Sequence, residues 1–214
     1  MAKKKYPVLI LFDGEAYTEV VSTRRILDNM IADKVIPPIV AVFVGSIDYE
    51  TRCKELPCYE PFFKCLITEL FPWIKEEFTV SAKPQDIIVA GSSYGGLAAI
   101  YAAMKNSDVV GNVLSLSGAF WWQPEDSTKP SWIITQMEKS PLLPLKIYMD
   151  AGTLEDDERQ GAPSILTTNR QLSEILRKKG YTFKYVEFGG AHEYFSWQGN
   201  LSTGLLYLIG SDPR

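Results

Sequence analysis

The chain has 214 residues, 46% of them hydrophobic and 22% charged, with a formal net charge of -4. This length supports one domain burying roughly 70% of its unfolded surface, and the acidic balance excludes a nucleic-acid surface, which needs clustered cations. No apolar run approaches the ~18 residues needed to span a bilayer, so no membrane partner is expected.

The short basic run at residues 3–5 reads as a solvated tail. The beginning of the chain lacks the apolar stretch and small-residue cleavage site of a secretory signal. The expectation is a cytoplasmic protein, or one whose export signal lies outside this sequence. Cys53, Cys58 and Cys65 match no zinc spacing. They are expected as reduced thiols, with one surface disulfide as the second reading, and no metal or cofactor is expected.

In chain order, Val8 to Phe12 is a continuous apolar run, as in a strand buried on both faces. Residues 18–31 carry Val20, Val21, Ile26, Leu27 and Met30 at helical spacing, and residues 38–45 read as a second buried strand. Phe63, Ile67, Leu70 and Ile74 share one helix face, which Pro72 should kink or divide. Further strands are predicted over residues 86–90, 112–116, 145–149 and 182–188. A helix over 163–179 closes at Gly180, and a last helix follows Trp197.

Strands alternating with helices imply parallel pairing, because each return crossover needs its own helix. The prediction is a single α/β domain over 1–214, with a mostly parallel sheet of about six strands and helices on both faces. The first strand begins so early that the sheet edge beside it is expected to be bare. A second copy of the chain (a homodimer) or a missing N-terminal segment would cover it.

Gly91-Ser92-Ser93-Tyr94-Gly95 forms a G-x-S-x-G motif between the apolar run ending at Ala90 and an alanine-rich helical run. Alone it is weak, arising by chance in roughly one chain of this length in fifteen. Its strand–turn–helix context is what a nucleophile elbow requires, and the spacing selects Ser93 over Ser92. A serine hydroxyl is a poor nucleophile until a base takes its proton. His192, the only histidine, follows the last predicted strand through Gly189-Gly190-Ala191, and it is the expected base.

The third member should be a carboxylate after the fifth strand, in the order Ser, acid, His. Glu155 is the first choice there, with Asp156 and Asp157 as alternatives. The oxyanion donors should be backbone N–H groups: that of Tyr94, and one from the loop Asp13-Gly14-Glu15, with Gly14 first and Glu15 as the alternative.

On these residues the chain resembles the catalytic domain of the enterochelin (enterobactin) esterase family, among the esterase D-like α/β hydrolases. The matching pieces begin with L-F-D-G-E at 11–15, T-R-C-K-E-L at 51–56 and E-L-F-P-W-I at 69–74. Then come V-A-G-S-S-Y-G-G-L-A-A at 89–99, L-S-L-S-G-A-F-W-W at 114–122, G-T-L-E at 152–155 and G-G-A-H-E-Y-F-S-W at 189–197. The resemblance implies an α/β-hydrolase fold lacking the usual first strands. It also implies hydrolysis of a small-molecule siderophore ester through an acyl-enzyme, with Ser93, His192 and Glu155 in the catalytic roles. Arg52 and the Trp121 region would line the substrate cleft. An acetyl or feruloyl esterase acting on plant cell-wall polysaccharide is the second expectation, and a hydrolase-like binding module without turnover is the third.

Overall fold

In the computed structural model, residues 5–127, 130–158 and 161–211 are described. Six strands among them form one all-parallel sheet: β1 (Val8–Phe12), β2 (Val40–Val44), β3 (Ile87–Ser92), β4 (Asn112–Leu116), β5 (Lys146–Gly152) and β6 (Thr182–Phe188). Their order across the sheet is β2-β1-β3-β4-β5-β6. The helices are α1 (Gly14–Glu19), α2 (Thr23–Ala32), α3 (Tyr49–Glu55), α4 (Glu60–Cys65), α5 (Phe71–Glu77), α6 (Tyr94–Lys105), α7 (Trp132–Lys139), α8 (Ile165–Lys179) and α9 (Tyr194–Ile209).

The pleat divides each central strand between two cores, since successive side chains point to opposite faces. Val8, Ile10 and Phe12 pack with Val89, Val113 and Ile147 under α4 to α8. Leu9 and Leu11 pack with Ile88, Leu114 and Tyr148 under α1, α2 and α9. This is a three-layer α/β hydrolase sheet, as expected. At the β1/β3 boundary the chain's direction of travel across the sheet reverses, and the carboxyl ends of these strands open a crevice suited to a ligand.

Several boundaries differ from the sequence reading. The helix expected over 18–31 is two helices, broken where Ser22 takes a φ of 55°. Val20 is consequently exposed while Val21 is buried. β2 is only half-buried, because it forms a sheet edge; the edge expected beside β1 belongs to it instead. Pro72 does divide its helical run, with a π-helical turn over Leu66–Leu70 before α5 and the proline in that helix's first turn, where no N–H is needed. The last helix begins at Tyr194, so Trp197 lies inside it. Cys53, Cys58 and Cys65 are free thiols.

Candidate active site

Ser93 stands between β3 and α6 at φ 57° and ψ -119°, a backbone conformation that costs a non-glycine residue of order 1–3 kcal/mol. The bend is held from both sides. The Ser93 N–H donates to the Leu116 carbonyl at 2.9 Å, and its own carbonyl accepts from Ala119 at 3.0 Å and Leu97 at 3.0 Å. As the first residue of α6, Tyr94 presents an N–H with no partner inside the helix, beside the serine.

Glu155 follows β5, and His192 follows β6. Their loops are stitched together where the strands end: Thr153 N–H donates to the Phe188 carbonyl at 2.9 Å and Leu154 N–H to the Gly190 carbonyl at 3.1 Å. A side chain on Gly152 would meet the Gly190 carbonyl oxygen at 2.3 Å, so the close crossing requires glycine there. The result is a 2.5 Å hydrogen bond between His192 Nδ1 and Glu155 Oε1. The other carboxylate oxygen, Oε2, accepts from the Ser117 hydroxyl at 2.8 Å and the Gly152 N–H at 2.5 Å. Glu155 is buried, whereas the His192 side chain keeps 31% of its surface exposed. Nδ1 is thus committed to the carboxylate, and Nε2 is left for the cleft. Of the alternative acids, Asp156 instead accepts from Ser164 at the start of α8, and Asp157 is exposed.

Ser93 and His192 line one cleft of about 510 Å³, together with Asp13, Glu15, Asp48, Tyr49, Arg52, Glu193, Tyr194 and Trp197 among others. Arg52 does reach this cleft, but as the bidentate partner of Asp13: Nε to Oδ1 at 2.5 Å and Nη2 to Oδ2 at 2.7 Å. Its guanidinium also lies 5.8 Å from the Tyr94 ring centre. Burial pushes the Tyr94 phenol above its ordinary range.

Trp121 and Gly14 lie outside the lining of this cleft. The Trp121 ring packs against that of Tyr94, with centroids 5.8 Å apart. Tyr49, Tyr194 and Trp197 supply the aromatic wall instead. Of the two positions named for the second oxyanion donor, Glu15 lines the cleft while Gly14 is buried against β2. A Cβ on Gly14 would stand 2.9 Å from the Phe43 carbonyl carbon, so the glycine allows α1 to press on that strand.

The sequence reading missed Asp13 as an ion-pair partner and Ser117 altogether. Asp13 pairs across 39 residues and Ser117 across 38, and such long-range contacts leave no local pattern. The only local signal for Ser117 was a serine placed just past the end of β4 and before a glycine.

A family model described as "Putative esterase" matches residues 1–208. The chain is 33% identical over 220 residues to an iron(III) enterobactin esterase of Dickeya dadantii, covering 97% of this chain and 49% of that protein. The crystal structure of the Shigella flexneri enterobactin esterase in the presence of enterobactin superposes with a TM-score of 0.86 at 28% identity, covering 97% of this chain and 52% of that one. An endo-1,4-beta-xylanase/feruloyl esterase of Xylanibacter ruminicola is 26% identical over 204 residues, covering 92% of this chain and 25% of that protein. The chain spans about half the length of the enterobactin esterases it matches.

Proposed function

The chain belongs to this esterase family, and from that membership and the site's geometry we propose that it hydrolyses carboxylic esters through an acyl-enzyme on Ser93. The observation that carries the reading is the Glu155–His192 hydrogen bond, made in the same cleft that the strained Ser93 lines. Ser93 Oγ attacks the ester carbonyl while His192 Nε2 takes its proton. The oxyanion is stabilised by the Tyr94 N–H, with a second donor from Gly14 or Glu15. His192 then returns the proton to the departing alkoxide, and water, activated the same way, releases the acid and restores Ser93. Glu155 holds the imidazole's orientation and stabilises its charged form without taking the proton.

The substrate we propose is an ester of the enterobactin kind, because relatives 33% and 29% identical carry that name and match 97% and 94% of this chain. The likeness to a feruloyl esterase keeps an aromatic cell-wall ester as the second reading.

A fluorophosphonate probe should label Ser93, and Ser93→Ala or His192→Ala should lower kcat on p-nitrophenyl butyrate by at least about a thousandfold. A panel of enterobactin, methyl ferulate, acetylated xylan and short p-nitrophenyl esters then separates the substrate readings. Folded protein that resists labelling and hydrolyses nothing above the Ser93→Ala control would leave a binding module as the remaining reading.

A further inference from the structure

One buried hydroxyl touches the acid directly and reaches the base through an indole. Ser117 follows β4, is wholly buried, and holds φ at 46°, in the left-handed region that non-glycine residues avoid. Its N–H is tied to Asp150, at 3.1 Å to the backbone carbonyl and 3.1 Å to Oδ1. Its hydroxyl lies 2.8 Å from Glu155 Oε2 and 3.0 Å from Trp197 Nε1.

The chemistry of the indole sets the polarity of this network. Trp Nε1–H can only donate, so the Ser117 oxygen must accept from it, and the hydroxyl proton is directed at Glu155. Trp197, pinned in this way, places its ring edge-to-face against His192, with centroids 4.8 Å apart and planes at 89°. The neighbours of Ser117 also grip the nucleophile: Leu116 O accepts the Ser93 N–H, and Ala119 N–H donates to Ser93 O.

We infer that Ser117, keyed by Trp197, is a positioning residue that fixes Glu155 and His192 as a unit beside Ser93; this rests on the triad reading given above. The hydroxyl does not touch substrate. It sets which way the carboxylate faces and how much of its charge is available to the imidazole. With Ser117's proton removed, Oε2 keeps only the Gly152 N–H, and the carboxylate stabilises the charged imidazole more strongly. The other charged and titratable groups around the pair are Asp150 beneath Ser117, Asp156 in the Glu155 loop, Glu193 and Tyr194 beside His192, and Asp13, Glu15, Asp48 and Arg52 across the cleft. Of these only Asp150 touches position 117, through the backbone N–H; a profile shift that Trp197→Phe, which leaves that N–H in place, makes in the same direction therefore reports the hydroxyl.

The test compares Ser117→Ala, Ser117→Gly and Trp197→Phe with the wild type, with fluorophosphonate labelling of Ser93 followed in each. Ser117→Gly relieves the backbone strain but leaves the Trp197 Nε1–H unpaired, so a purely structural role predicts a change in stability with kcat, labelling rate and pH profile of the folded protein unchanged. The positioning role predicts that kcat falls about tenfold or more at unchanged KM. It also predicts slower labelling of Ser93 and an acid limb of kcat/KM that moves to higher pH. Trp197→Phe keeps a ring against His192 but frees Ser117, and it should act in the same direction, with a loss that does not multiply in full with that of Ser117→Ala. Folded Ser117→Gly and Trp197→Phe proteins with wild-type kcat, labelling rate and pH profile would overturn the inference. If the wild type itself is not labelled at Ser93, the triad reading fails instead.

Discussion

Asp150 is a carboxylic acid that the proposed chemistry leaves unused, wholly buried within β5. Burial pushes its carboxyl up to about 8; the Ser117 N–H offsets this in part, while the nearby Glu155 adds to it. The Asn200 side chain also acts on this carboxyl and offsets the rise in part. The folded chain therefore keeps a proton here that the unfolded chain, with a value near 3.8, releases between those two pH values. Stability contributed by this group is fully present at low pH and is lost as pH rises towards 8, with a slope of up to about 1.4 kcal/mol per pH unit. Urea midpoints of the wild type should fall between pH 5 and 8 and level off above. Asp150→Asn, which has no proton to release, should flatten that decline; an identical slope in the two proteins would show that Asp150 is not its source.

The elbow brings a strand end and a helix start into one tight turn, and its two motif glycines do different jobs. A Cβ on Gly91 would lie 2.7 Å from the Gly95 carbonyl carbon, a backbone atom that cannot give way. A Cβ on Gly95 meets only Phe12 Cβ and Asp13 Oδ2, each at an ordinary 3.4 Å. Gly91→Ala should then cost about 1–3 kcal/mol through overpacking. Gly95→Ala should be neutral or gain up to about 1 kcal/mol, since alanine is the better helix former. Thermal unfolding of the two variants separates these outcomes; equal destabilisation would contradict the packing account. The motif spacing made Ser93 legible, because a sharp turn between an apolar strand and an apolar helix must expose its central residue. The strands were legible for the same reason: uninterrupted apolar runs such as Val8–Phe12 have few other places to go. Three features left no trace in composition or period: the left-handed turn at Ser22, the edge position of β2, and the contacts of Ser117. Each depends on partners tens of residues away or on a backbone angle that serine does not advertise.

Across the whole molecule, charge bears on which esters reach Ser93. The net charge is -4, and Asp13, Glu15, Asp48 and Glu193 all line the cleft. The one described cation in that lining, Arg52, is already engaged bidentately by Asp13. The Thr51 N–H holds the Asp48 carboxyl below its ordinary range, which keeps it charged. Such a mouth repels anions, and the repulsion reaches about 30 Å at 0.01 M salt but only about 8 Å at 0.15 M. An iron(III) ion held by three catecholates is a trianion, so a ferric siderophore ester should suffer more than its iron-free form. For an anionic ester such as p-nitrophenyl hemisuccinate, kcat/KM should rise severalfold between these two salt concentrations, while neutral p-nitrophenyl butyrate should barely respond. Replacing Glu15, Asp48 and Glu193 together with Gln, Asn and Gln should abolish that rise and bring the anionic ester closer to the neutral one. If the anionic ester is instead the faster at low salt, a cation near the mouth outweighs these carboxylates, and the charge argument fails while the hydrolytic reading stands.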